Sequence, residues 1–187
     1  MRARTTQESL VRRAQRRVRE AWSSIYGQFY PRVYAFLMTR LHDSMLAEDL
    51  ASDVFVNAFK AISTYEERGF ELTAWLFRIA HNRLIDHYRR SGIRQSTSLD
   101  EFVQREETIG FRLTNSDGID PNKIDIENAL RSLGDDQRQV IHLRFVEGLT
   151  SSEVAVVLCK SLASVKVAQY RALRALKKAL GSKEAEL

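Results

Sequence analysis

The stretch Leu72-Thr73-Ala74-Trp75-Leu76-Phe77-Arg78-Ile79-Ala80-His81-Asn82-Arg83-Leu84-Ile85-Asp86-His87-Tyr88-Arg89-Arg90 decides how this chain is read. Apolar Leu72, Leu76, Ile79 and Ala80 recur at steps of three and four, which predicts a helix from about Leu72 to Arg90 with one buried face. Arg78, Asn82 and Arg89 line a different stripe, and Trp75 sits at the edge between the two. Basic groups beside aromatic ones suit single-stranded DNA, whose unstacked bases need a π-face or a pocket. Taken singly, Trp75 and Phe77 are assigned to a core, whereas Arg78, Arg89 and Arg90 are the better candidates for phosphate contact.

Upstream, two more helices are predicted. Trp22, Ile25, Tyr26, Phe29, Val33, Phe36, Leu37 and Leu41 follow the same period, and Pro31 predicts a kink or a restart within it. Asp43 and Ser44 supply caps for a helix from about Leu46 to Ile62. Its inner face is Leu50, Ala51, Val54, Phe55, Ala58, Phe59 and Ile62, and Asp49, Asp53, Asn57 and Lys60 form an opposite polar stripe. The first 20 residues carry Arg2, Arg4, Arg12, Arg13, Arg16, Arg17 and Arg19 against Glu8 and Glu20 alone. Such a run reads first as a solvated, partly disordered tail, and second as a nucleic-acid or partner contact.

Downstream of Arg90 the composition shifts to Ser, Thr, Gly, Asn and Asp, with acids in excess. That is a linker, with a short helix expected around Leu99 to Glu107. A second helical unit follows from Ile124 to about Leu180. Gln137 to Phe145 forms a helix closed by Gly148, Thr150 caps a short helix with Glu153 at the capping-box distance, and a long helix starts near Ala163 or Ser164. Helix, tight turn, helix is the layout that seats a recognition helix in the major groove. Val165, Ala172, Leu173, Leu176 and Leu180 are expected to be that helix's buried stripe. Between Glu153 and Glu184 no acid occurs, while Lys160, Lys166, Arg171, Arg174, Lys177, Lys178 and Lys183 are basic. A solvated helix mixes both signs to gain i,i+4 pairs, so a one-signed face points to phosphates.

The fold class is all-α, two small helical domains on a linker: a basic extension over 1–21, a first domain over 22–91, a linker over 92–122 and a helix-turn-helix domain over 123–187. The formal charge of +5 in 187 residues favours an anionic partner. Lone Cys159 excludes an internal disulfide framework and fits a reducing cytoplasm. No apolar run approaches the ~18 residues of a membrane span, and direct membrane insertion is not expected. His42, His81, His87 and His142 form no i,i+4 metal pair, and no Gly-rich phosphate loop or nucleophile elbow occurs, so no cofactor, small-molecule substrate or catalytic residue is expected.

From Tyr30 to Arg90 the chain carries Ala47-Glu48-Asp49-Leu50, Asp53-Val54-Phe55, Ala74-Trp75-Leu76, Ile79-Ala80, Asn82 and Asp86 through Arg90. With these it resembles the region-2 domain of extracytoplasmic-function (ECF) sigma factors of the sigma-70 family. Leu133 to Leu180 resembles their region 4 through Gln137-Arg138, Leu143-Arg144-Phe145, Glu147-Gly148-Leu149, Glu153-Val154-Ala155, Val165-Lys166 and Arg171-Ala172-Leu173. At the helix-turn-helix turn the family usually has Gly and an apolar residue where this chain has Cys159 and Lys160. It usually has Pro where this chain has Gly134, and often Arg where it has Ala168.

The resemblance implies three sets of residues. Asp49, Asp53 and Asn57 would dock on core RNA polymerase. Tyr65, Phe70, Trp75, Arg78, Asn82, Arg89 and Arg90 would open and read the −10 promoter element. Ser164, Lys166, Val167, Tyr170, Arg171, Arg174 and Lys178 would read the −35 duplex. It also implies an anti-sigma factor as partner. Two other classes stay in view: a helix-turn-helix regulator of another type, and an all-α protein-binding adaptor or inhibitor. The first leaves the Trp75 helix unexplained, the second the acid-free final helix.

Overall fold

A computed structural model describes residues 2–66, 71–92, 126 and 129–181. The described residues are mostly helical, and the chain clusters into two compact units, one of residues 1–93 with 156–159 and one of 94–155 with 160–187. The expected linker over 92–122, with its short helix near Leu99, lies almost wholly outside the described residues.

In the N-terminal unit, α1 spans Arg2–Gln15, α2 Arg19–Leu41, α3 Ser44–Ala61 and α4 Leu72–Arg90, with a 3-10 turn at Ile62–Thr64. Asp43 caps α3 by accepting from the Leu46 amide at 3.1 Å. Ile25, Val33, Phe36 and Leu37 of α2 are fully buried, as are Val54 of α3 and Leu76, Phe77 and Leu84 of α4. Phe36 and Phe77 meet edge to face at 5.3 Å, so α2 and α4 share the centre of this core.

Three expectations are corrected here. The Arg-rich start is not a free tail: it forms α1, which buries Val11 and Ala14. Composition hides this, because Val11 and Ala14 stand among Arg12, Arg13, Arg16 and Arg17. Of the kink or restart expected at Pro31, the restart does not occur, and α2 runs through the proline as one helix. Its cost of ~3 kcal/mol is offset because Phe29 and Val33, on either side, are both buried. Phe59 stays partly exposed at 38%, stacked edge-on against Trp22 at 5.1 Å, instead of entering the core.

In the C-terminal unit, α5 spans Asp135–Ile141 and continues through a π turn at His142–Val146, α6 spans Ser151–Val157 and α7 Leu162–Gly181. In the π turn the Glu147 amide reaches back five residues to the His142 carbonyl, and beyond it the Leu149 amide closes the helix end on the Leu143 carbonyl. Gly148, at φ +73°, supplies the left-handed residue that ends the helix. The capping box at α6 is complete: the Glu153 amide donates to Thr150 Oγ1 at 3.2 Å, and the Thr150 amide donates to Glu153 Oε2 at 2.7 Å. Helix α7 begins at Leu162 because Ser161 caps it, its Oγ accepting from the Ser164 amide at 3.1 Å. Leu133, Ile141 and Ala172 form the core between α5 and α7, with Leu130, Ala175 and Leu176 packed on it. The buried stripe of α7 is therefore Val165, Ala172 and their neighbours; Leu173 and Leu180, expected inside, are 41% and 40% exposed.

Cys159 stands at the corner between α6 and α7 with φ +52°. The Lys160 amide bonds the Ala155 carbonyl and the Cys159 amide the Val156 carbonyl, a Schellman end with Cys in the position glycine favours. A left-handed non-glycine residue costs about 1–2 kcal/mol, and glycine's extra chain entropy returns about 0.5–1 kcal/mol of that. Cys159→Gly should therefore raise stability by about 0.5–1 kcal/mol, read as a higher urea midpoint at unchanged slope. A lower midpoint would mean that the thiol side chain holds the corner.

Candidate nucleic-acid interface

The exposed side of α7 is built by the same period that buries Val165 and Ala172. Val167, Arg171, Arg174 and Lys178 follow one another at steps of three and four, with Tyr170 next to Arg171, and all are exposed, Tyr170 at 67%. Lys166 is exposed beside them, and Ser164 is exposed at the helix start, its hydroxyl 2.8 Å from that of Ser161. The structure thus gathers every residue expected to read the −35 element onto one end and one side of α7. Lys160 is different: its ammonium pairs with the Asp136 carboxylate of α5, so its charge is already matched.

What fixes the roll of α7 was not singled out from sequence. Arg144, in the π turn, donates to the Leu149 carbonyl and, through Nε, to Gln169 Oε1 at 3.3 Å. One guanidinium thus joins the loop after α5 to the inner side of the recognition helix. Arg138 of α5 plays a comparable part toward the residues that precede the helix, donating to the carbonyls of Leu133 at 2.8 Å and Leu130 at 3.3 Å. It thereby satisfies the end of the preceding helical turn. Both stand in the quoted motifs Gln137-Arg138 and Leu143-Arg144-Phe145; a half-buried Arg with no acid at i±4 was the available signal.

On α4, Trp75, Arg78, Asn82 and Arg89 lie on one stripe. Arg78, Asn82, Arg89 and Arg90 are exposed and Trp75 is half-buried. Tyr65 is only 7% exposed, its ring 4.9 Å from that of Trp75, so it supports Trp75 from beneath. Phe70 lies outside the described residues.

Asp49 and Asp53 are exposed on α3, one turn apart. Asn57 continues their stripe but is engaged: Arg83 of α4 donates to its Oδ1 at 2.6 Å, and its Nδ2 donates to the Asp53 carbonyl at 2.6 Å. Arg83 also lies 4.0 Å from Asp86. Asn57 therefore couples the acidic stripe of α3 to α4. Toward the start of α3, the Tyr34 phenol is held above its ordinary value by burial, with Glu48 and Tyr30 adding to it. Among the described residues no group of His, Cys, Asp or Glu is arranged to hold a metal ion, and no helix is long and apolar enough to cross a membrane.

Two basic stripes, each on a helix pinned along its opposite side and one in a helix-turn-helix, define a DNA-binding protein of two units. Comparison with known proteins agrees. The family model Sigma-70 region 2 matches residues 25–93, and Sigma-70, region 4 matches residues 129–178. The ECF RNA polymerase sigma factor BldN of Streptomyces coelicolor is 33% identical over 91% of this chain, which spans 64% of that relative's length. The ECF RNA polymerase sigma factor SigX of Bacillus subtilis is 30% identical over 85% of this chain and 83% of its own. The RpoE sigma factor of Bartonella quintana, solved with the anti-sigma factor NepR, shares the fold. It has a TM-score of 0.64 at 24% identity, over 85% of this chain and 96% of that one. The sigma factor resemblance is thereby established: the chain belongs to the ECF RNA polymerase sigma factors of the sigma-70 family. Helix α1 precedes the region-2 match.

Arg144→Met keeps the bulk of the side chain and removes both bonds. Leaving the Leu149 carbonyl unpaired is expected to cost about 1–3 kcal/mol, measured by urea denaturation, with broadened amide signals along α7. A loss below ~0.3 kcal/mol would mean that Arg144 does not fix the recognition helix.

Proposed function

We propose that this protein, as a sigma factor, directs core RNA polymerase to promoters by dividing the work among its three surfaces, and that it performs no chemistry of its own. The acidic stripe Asp49, Asp53 and Asn57 holds the polymerase. The stripe Trp75, Arg78, Asn82, Arg89 and Arg90, with Tyr65 behind Trp75 and with Phe70, which lies outside the described residues, takes the unpaired strand of the −10 element. The outer side of α7, from Ser164 and Lys166 through Val167, Tyr170, Arg171, Arg174 and Lys178, takes the −35 duplex. The observation that carries this reading is the absence of any acid on α7, together with its exposed arginines and lysines. Such a face is anomalous as a solvated surface and suited to phosphates and guanine edges. Work on polymerase places the protein in the cytoplasm. An anti-sigma factor is a further partner, supported by the relatives RpoE and CnrH, which were solved with NepR and with the cytosolic domain of CnrY.

The deciding experiment is run-off transcription with core polymerase and a genomic promoter library; a failure to confer start-site selection would end the proposal. Asp49→Lys with Asp53→Lys should abolish co-purification with core enzyme at unchanged helix content, and retained binding would remove that surface from the reading. Arg171→Ala should relax one −35 position at a cost of roughly 1–3 kcal/mol. Lys178→Ala should instead weaken all sequences alike and reduce the salt slope by about one. An unchanged footprint and slope in both variants would redirect the −35 assignment elsewhere.

A further inference from the structure

Helix α1 ends close to the segment that leads into α4, and two side chains join them. Gln15, in the last turn of α1, donates through Nε2 to the Tyr65 carbonyl at 2.7 Å, across 50 positions of sequence. Two residues on, Arg17 donates to the Phe59 carbonyl in the last turn of α3 at 3.0 Å. Its guanidinium lies over the Phe59 ring, 4.4 Å from the centroid. Arg17 has φ +60° and closes α1 as a Schellman end, with the Val18 amide bonded to the Arg13 carbonyl and the Arg17 amide to that of Ala14. Glycine would serve that backbone without strain. The side chain present is one whose head reaches a carbonyl in the last turn of α3.

Val11 and Ala14 bury the apolar side of α1, and the two polar bonds fix where its end lies against α3 and Tyr65. What Gln15 fixes is the backbone at Tyr65, which follows the 3-10 turn and bonds back to Ile62 at 3.2 Å. The Tyr65 ring in turn packs against Trp75. A chain of contacts therefore runs from Gln15 through the Tyr65 carbonyl and ring to the indole of Trp75. We propose that Gln15 is a positioning residue for promoter opening: it holds Tyr65 so that Trp75 is presented to the strand being unpaired. This rests on the reading of Trp75 as a −10 contact.

The test uses holoenzyme assembled from core polymerase and full-length variants. Two templates carry the same promoter, one fully duplex and one with the −10 segment opened by mismatches, and opening is followed by the fluorescence of a reporter base. Gln15→Met keeps the length and removes the donor. It is expected to slow opening about threefold to tenfold on the duplex, the range one hydrogen bond gives, with the mismatched template and core affinity unchanged. Gln15→Lys restores a donor of similar reach and should return the ratio of the two templates towards wild type; its added charge acts on both and cancels in the ratio. A ratio unmoved by Gln15→Met, or equal slowing on both templates, overturns the proposal. Trp75→Ala separates the two layers. If it moves the ratio while Gln15→Met does not, only the positioning role fails; if neither moves it, the −10 reading of Trp75 fails with it.

Discussion

A helix that meets DNA along one side must be gripped along the other, because a rod free to roll presents no fixed set of donors. The C-terminal unit meets that constraint with very little material. Leu133, Ile141 and Ala172 make its small core, and Arg144 adds a directional hold by bonding both the Leu149 carbonyl and Gln169. Apolar contact sets how close α7 lies to α5 but is nearly indifferent to rotation by a few degrees. A guanidinium with a fixed fork of donors is not indifferent, which is why Arg and not Leu stands at position 144. The exposed charges of α7 acquire their geometry from that inner bond.

The corners of the fold reveal a second regularity. Arg17, His42 and Cys159 all adopt left-handed backbone at helix ends, at φ +60°, +53° and +52°. Each carries strain that glycine would avoid. At Arg17 the compensation is visible: the side chain closes α3 and covers Phe59. At Cys159 the thiol makes only a long contact of 3.9 Å to the Val156 carbonyl, and the structure offers no comparable return. Two corners of the same backbone shape thus differ in what their side chains contribute.

Local signals were legible in the sequence and long-range ones were not. The span of α4, the Asp43 cap and the Thr150/Glu153 box follow from spacing over three or four residues, and the structure has them where the sequence puts them. Docking of α1 depends on Gln15 and Arg17 reaching carbonyls 50 and 42 positions away, which no local pattern encodes. The π turn at His142–Val146 adds a residue to a helix and so shifts the period at that point. Leu173 and Leu180 were assigned inward by hydrophobicity alone, although the angular step from Val165 and Ala172 sends them out. For the interface, the exposed members of both stripes were readable because period and charge suffice. The burial of Tyr65 and the engagement of Asn57 by Arg83 were not, since each depends on a partner from another helix.

The size of these surfaces bears on how such a protein works. Each stripe presents only a handful of exposed basic groups, and a contact set of that size gives modest, salt-sensitive affinity for any DNA. Specificity then cannot come from either unit acting alone. Joined in one chain and mounted on polymerase, the second contact becomes intramolecular, and its affinity multiplies the first without any new bond. If the two stripes read DNA as proposed, a sequence that satisfies one but not the other forfeits that factor, and weak individual grips make the pair more discriminating than two strong ones.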